Sequence, residues 1–525
     1  MAKGRSVLDQ PQAGTVTRDE PPPGIQRITG DTAFFGHPRG LSTLFFTEMW
    51  ERFSYYGMRA ILILFMTAPL AAGGLGFDTA VAGPIYGLYT SMVYLVALPG
   101  GWFADRIIGQ QRAVLWGGII IMFGHISLAM EGIQFFLLGL FLVIIGTGLL
   151  KPNISTVVGQ LYREEDARRD AGFSIYYMGI NLGAMLAPLV CGFLAQDPRF
   201  QEMLIGWGLD PARSWHWGFG AAAVGMFFGI VQYMFGRRHL GGAGAEPGDP
   251  VSDGGRRMAN LGLLGLIILG AVVLLTAGQR AIDAMPTVNT VVGWVLLLTP
   301  LAFFGWLLTA GSRDSEERKR HVVILVLFLG AAVFWSAFEQ AGSTLNLFAE
   351  RSTRTSILGF SFPASWFQSA NAFFIILLAP VFAWLWIRLG RREPSSPGKF
   401  AFGLLFLSLG FAILIPAAQF SAGGGQVSPM WLVGTYLLHT IGELCLSPVG
   451  LSAMTKLAPM RYAGLMLGVW FLASSVGNFI GGNVAGFYET FSTEQIFTAV
   501  TVFVLVSAVI MALFVKPIKR MMARR

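Results

Sequence analysis

Charge is scarce in this sequence. Of its 525 residues, 13% are Asp, Glu, Lys or Arg and 54% are hydrophobic, and mean hydropathy is +0.60. A soluble domain carries roughly 25% charged residues, so the deficit excludes an ordinary globular enzyme and makes the chain an integral membrane protein. Cysteine is scarce too. Cys191 and Cys445 both fall in apolar segments, which excludes an extracellular disulfide framework and supplies no metal-ligand cluster. The six histidines form no H-E-x-x-H pair, and no G-x-S-x-G elbow occurs, so an intramembrane hydrolase lacks its metal ligands or its nucleophile. His125 and His439 read as core residues. The net charge of +8 invites a nucleic-acid reading, but the basic residues are spread among short loops instead of gathered on one module. Residues 1–40 are polar and rich in Pro and Gly. They have neither an apolar core nor a small-residue cleavage site, and read as a disordered tail instead of a secretory signal.

What is abundant is long apolar runs. Fourteen windows reach the roughly 20 residues needed to cross a bilayer. With the N-terminus on the cytoplasmic side, that side holds 29 of the 37 Lys and Arg residues and the opposite loops hold 5, the bias expected of a cytoplasmic face. Both termini are then inside. The second span and the tenth (the eighth when the extra pair is set aside) end alike, in "GGWFADRIIGQQR" and "APVFAWLWIRLGRRE", as two parallel six-helix halves related by an axis along the membrane normal would. The expected division is a tail over 1–40, an N-terminal bundle over 41–236, a linker with two extra spans over 237–320, a C-terminal bundle over 321–515 and a basic tail over 516–525. The extra pair reads as a lipid-packed linker.

The few charges inside spans carry the functional argument. Glu48, Glu51, Arg52 and Arg59 sit in "EMWERFSYYGMRA", where they would cost roughly 10 to 14 kcal/mol in lipid, against about 3 to 6 returned by the Leu, Ile and Phe of that span. Glu48, Arg52, Tyr55, Tyr56 and Arg59 fall on one helical stripe, so the stripe faces a water-filled cavity or a buried polar network. Lys151 in "GLLKPNIST" lies beside Pro152, Gly146 and Gly148, which suggests an irregular helix lining a cavity. Glu339 and Glu443 are interior carboxylates of the C-terminal half. Cations on one half and lone carboxylates on the other suit a ligand charged oppositely at its two ends, such as a short peptide, bound between the halves. Its carboxylate would point to Arg52, Arg59 and Lys151 and its ammonium to Glu443. Tyr94, Asn181, Trp335, Asn371, Trp470 and Ser474 are candidates for further contacts. Burial favours a protonated carboxylate and a neighbouring guanidinium the ionised one, so a proton on Glu48, Glu51 or Glu339 would free its cationic partner and link protonation to ligand binding.

"EMWERF" followed by "SYYGMR" resembles the E-x-x-E-R-F signature of the proton-dependent oligopeptide transporters, a branch of the major facilitator superfamily. "FSIYYMGINLGA", "GELCLSPVGLSAMTKLAP" with "GVWFLASSVGN", and "GGWFADRIIGQQR" resemble further motifs of the family and superfamily, the last with Gln110 in place of a more usual basic residue. The resemblance implies an all-α major facilitator fold of two six-helix bundles with two extra helices between them, fourteen in all. It implies proton-coupled uptake of di- and tripeptides by alternating access in a bacterial inner membrane, with the proton as coupling ion and no cofactor or metal. Carried over to matching positions, Arg52, Arg59 and Lys151 receive the peptide carboxylate, and Glu443 with Asn181 and Asn371 receives the amino end. Glu48, Glu51, Arg52 and Glu339 take part in proton coupling. Arg59 with Glu339 and Lys151 with Glu443 form outer and inner gates. A carrier of nitrate or organic acids would leave Glu443 buried without a cation, which is costly. A non-transporting peptide sensor would need an output domain, and none follows Val515. A monomer suffices, because one chain holds both bundles.

Overall fold

A backbone buried in lipid must satisfy its own polar groups, and these apolar runs do so as helices. The computed structural model describes residues 30–163, 165–459 and 462–522. Its long helices are α1 (Arg39–Thr67), α2 (Thr79–Leu95), α3 (Gln110–Leu128), α4 (Ile133–Gln160), α5 (Arg169–Gln196), α6 (Ser214–Gly236) and α7 (Asp253–Asp283). They continue as α8 (Met285–Leu308), α9 (Ser315–Phe338), α10 (Ser369–Leu389), α11 (Ser396–Ala412), α12 (Met430–Leu457), α13 (Ala463–Ala485) and α14 (Thr493–Met522). Among the described residues the only paired strands are two-residue stubs, Ser356–Ile357 and Phe360–Ser361. Twelve helical segments of the described chain are long and apolar enough to cross a membrane. The remaining two long helices are α1, which carries the four charges of the polar stripe, and α12, which carries Glu443.

Two groups of helices emerge from the packing. In the first half α1 lies against α5 and α6, and α3 against α4 and α6; in the second α11 lies against α12 and α14, and α9 against α13. The halves meet where α2 crosses α13 and where α5 meets α10. The first crossing is built on glycine. A Cβ on Gly482 would run into the backbone of Gly87, and one on Gly87 would sit 3.0 Å from the Gly482 Cα. Small residues let membrane helices approach closely where no hydrophobic force distinguishes protein from lipid. The extra pair divides its allegiance: α7 packs on α4, and α8 on α2, α9 and α13. Asn289 on α8 donates to Asn483 on α13 at 2.8 Å.

Three expectations are refined. α4 runs unbroken through Pro152 instead of becoming irregular there, with the Ser155 and Thr156 hydroxyls donating to the Pro152 carbonyl at 3.2 and 2.9 Å. Residues 1–29 of the expected tail lie outside the described residues, but 30–38 form a strap. His37 Nδ1 meets the Tyr162 hydroxyl at 2.9 Å and Arg168 donates to the Gly36 carbonyl at 3.1 Å. Burial first, and Arg168 second, hold the His37 imidazole below its ordinary range. At the other terminus α14 extends to Met522, past the start of the expected tail at 516, and 523–525 lie outside the described residues.

Overpacking a tight crossing costs about 1 to 3 kcal/mol. Gly482→Leu is therefore expected to lower the melting temperature of the purified protein in a thermal scan. Gly262→Leu, on α7 where a Cβ meets nothing within 4 Å, should leave it unchanged or raised.

Candidate functional site

The polar stripe of α1 is buried, and its charges are paired. Glu48, Glu51 and Arg52 are 3%, 0% and 4% exposed. Arg52 Nε lies 2.9 Å from Glu48 Oε1, one helical turn away, and also pairs with Glu51. A buried ion needs partners in place of water, and here one guanidinium is set between two carboxylates, although none of the three side chains lines the cavity described next. Two turns on, Arg59 Nη2 reaches Glu339 Oε2 across the halves at 2.8 Å, and its Nε donates to the Tyr86 hydroxyl at 2.8 Å. Glu339 begins the 3-10 turn Glu339–Gly342 that ends α9. The turn comes this close because its last residue is glycine: a Cβ on Gly342 would collide with the Tyr86 hydroxyl and lie 2.8 Å from Arg59 Nε.

Between the halves is a cavity of about 1160 Å³. The first half contributes Tyr56, Arg59, Tyr94 and Asn181 to its wall, and the second Trp335, Glu339, Asn371, Glu443 and Trp470. It continues to Glu165, Asp166, Arg169 and Asp170 in and beside the α4–α5 loop, at the end of the protein where α1 begins. There Arg168 hydrogen-bonds to Asp166 and holds that carboxyl below the usual range. At the far end the halves are closed over Arg59 and Glu339. The Ser369 hydroxyl donates to the Met185 carbonyl at 2.7 Å and Trp366 Nε1 to the Leu189 carbonyl at 3.0 Å. The cavity is thus open at one end and sealed at the other.

The remaining sequence candidates fall in three places. Lys151 Nζ lies 3.5 Å from the centre of the Tyr94 ring and 5.9 Å from that of Phe471, a cation held over aromatic faces. Among the described residues no carboxylate lies within 4 Å of it, so the Lys151–Glu443 pair is not joined in this conformation. Glu443 instead accepts from Asn371 Nδ2 at 3.0 Å, and Asn371 also reaches Thr440. Tyr55 and Ser474 do not line the cavity here. Tyr55 is 2% exposed with its ring near Tyr89 and under the Arg52 guanidinium, and the Ser474 hydroxyl donates to the Trp470 carbonyl in its own helix. Sequence reasoning missed Tyr86, whose hydroxyl completes the Arg59 site. Its one sequence signal is a phenol placed in the middle of an apolar span.

Comparison with known proteins agrees with this architecture. A family model described as the POT family matches residues 111–505. The chain belongs to the POT family. This POT protein is 40% identical over 509 residues to the peptide transporter YePEPT of Yersinia enterocolitica, covering 94% of this chain and 97% of that one. It is 37% identical to a di-/tripeptide transporter of Lactococcus lactis, covering 94% and 98%. It is 43% identical to the uncharacterized transporter YclF of Bacillus subtilis, covering 93% and 96%. A crystal structure of a peptide transporter POT in complex with sulfate superposes with a TM-score of 0.84 at 41% identity, covering 95% of this chain and 99% of that one. A structure of a mutant peptide transporter POT in complex with alafosfalin gives 0.83 at 40% identity, with the same coverage. Family membership makes the chain a membrane transporter of the major facilitator type and removes the hydrolase from consideration.

Proposed function

We propose that this POT protein is a proton-coupled symporter that imports di- and tripeptides by alternating access. The observation that carries the reading is the distribution of charge around one cavity: Arg59 on the first half, with Lys151 held behind the Tyr94 wall, and Glu443 with Asn371 on the second. A peptide presents a carboxylate and an ammonium at its two ends, so each half meets the end of opposite charge. The relatives named as peptide and di-/tripeptide transporters support the same substrate class. A substrate bearing only negative charge would leave the Glu443 carboxylate without a cation in a buried site.

In this mechanism the peptide carboxylate turns to Arg52, Arg59 and Lys151, and the amino end to Glu443, Asn371 and Asn181. Tyr56, Tyr94, Trp335 and Trp470 supply faces tolerant of varied side chains, with Tyr55 and Ser474 behind them. Protonation of Glu48 or Glu51 releases part of the Arg52 guanidinium to a peptide carboxylate. Protonation of Glu339 loosens its hold on Arg59, and with it the far end. A proton moving down the membrane potential contributes about 2.3 kcal/mol per 100 mV. We assign the end where α1 begins to the cytoplasm of a bacterial cell, placing both termini inside. All fourteen long helices cross the inner membrane and one chain forms a working unit. In that orientation the conformation described above is inward-open, with the Arg59–Glu339 gate shut and the Lys151–Glu443 gate apart.

Uptake of labelled dialanine into liposomes of purified protein tests the proposal. Accumulation should require an inward proton gradient and vanish with a protonophore; absence of any gradient-dependent uptake would refute it. The amino-end assignment is tested separately. A hydrogen bond to a charged group contributes about 1.5 to 3 kcal/mol, so Glu443→Gln should weaken binding of dialanine, followed by tryptophan quenching, at least about tenfold. N-acetyl-dialanine, which has no ammonium, should bind the variant and the unsubstituted protein alike. Equal losses for both ligands would count against the assignment.

A further inference from the structure

Ala60 follows Arg59 on α1, and its carbonyl receives two side chains from the opposite half. Asn346 Nδ2 donates to it at 2.7 Å and Gln368 Nε2 at 3.2 Å. Asn346 is 1% exposed in the short helix Thr344–Ser352, and Gln368 ends the 3-10 turn Ala364–Gln368 that leads into α10. A carbonyl within a helix already accepts the amide four residues on, and its second lone pair is shared here by the two side chains, with Asn346 the shorter contact and Gln368 the longer. Two uncharged donors from separate elements of one half thus converge on a single backbone oxygen of the other, beside the charged gate. Moving the halves apart at this end breaks both bonds together with the Arg59–Glu339 pair.

We propose that Asn346 and Gln368 are positioning residues of the outer gate, a proton-insensitive latch that sets how much protonation is needed before the gate opens. This rests on the symport reading for which side is outer and for the role of the proton. The physical basis is the contrast between the two sets of contacts. The Arg59–Glu339 pair weakens when the carboxylate takes a proton, whereas an amide donor to a carbonyl holds equally at every physiological pH. The latch therefore adds a constant bias toward closure, against which the titrating pair works. A net hydrogen bond of ordinary strength corresponds to about fivefold in an equilibrium. Without the latch, less protonation suffices, and the outer side opens more readily at any given pH. A looser latch also predicts leak: peptide exchange through a gate no longer held shut between protons.

The test reads the gate directly, without substrate. Spin labels at Met203, in the outer helix Pro198–Gly206 of the first half, and at Leu358, in the outer hairpin of the second, are exposed (45% and 104%) and carried by opposite halves. The two native cysteines are buried. In the full chain reconstituted in nanodiscs, the distance between labels is followed from pH 8 to pH 5. Asn346→Leu and Gln368→Leu should each raise the long-distance population at fixed pH, by up to about fivefold and more for Asn346→Leu, the shorter contact, and move its midpoint to higher pH. A misfolded protein would not keep a titratable two-population distribution, so a shifted midpoint separates positioning from damage. Gln368 is only partly buried, so that variant decides the question if Asn346→Leu does not fold. Populations and midpoints unchanged from the unsubstituted protein would overturn the latch. If the midpoints shift as expected but no variant accumulates dialanine under a proton gradient, the latch stands and the symport reading fails.

Discussion

A charge removed from water must be given a partner, and here the partners belong to different moving bodies. Arg59 and Glu339 are each almost wholly buried and meet at 2.8 Å across the boundary between the halves. Breaking one buried pair by removing its partner costs about 3 to 5 kcal/mol. The interface at this end therefore has two acceptable states: closed with the pair made, or open with both groups wet. The cost of intermediate states makes the element bistable, as alternating access requires.

The rest of the architecture serves that pair. Glycine at the α2–α13 crossing lets the halves approach closely, and glycine at position 342 lets the Glu339 turn reach Arg59 and Tyr86. On the first half, Arg52 is paired with two carboxylates and Lys151 rests over Tyr94. On the second, Glu443 is held by neutral Asn371. Of the three cations proposed to meet a peptide carboxylate, Arg52 and Arg59 are thus paired with carboxylates and Lys151 is left on an aromatic face. The extra pair is more than a tether in its contacts, since α7 packs on the first half while the Asn289–Asn483 amide pair ties α8 to the second.

Much of this was legible in the sequence, for reasons that are physical. The α1 stripe announced itself because four charges in an apolar span have no tolerable place except a cavity or a network, and helical spacing says which residues share it. The apolar windows anticipated the long helices because the bilayer fixes their length. The Arg59–Glu339 contact came from the family resemblance, and charge asymmetry between the halves agreed with it. Other features left no trace in one dimension. The Ala60 carbonyl carries no side chain by which a sequence could mark it as a meeting point for Asn346 and Gln368. Whether Lys151 meets Glu443 depends on conformation and not on composition. Pro152 suggested a break in α4, yet the helix continues, because packing against α3 and its other neighbours outweighs one missing amide donor. The strap at 30–38 was obscured by the polar residues that precede it; its anchors, His37 on Tyr162 and Arg168 on Gly36, are tertiary contacts.

In the proposed mechanism a proton taken up at the cross-half Arg59–Glu339 pair, and not binding alone, drives accumulation. Glu339→Gln keeps the size and a hydrogen-bonding group beside Arg59 but cannot cycle a proton. In liposomes, the variant should still exchange labelled for unlabelled dialanine across the membrane at equal pH, while proton-driven accumulation falls to the level seen with a protonophore. Accumulation undiminished from that of the unsubstituted protein would contradict the account and move the coupling proton away from this pair.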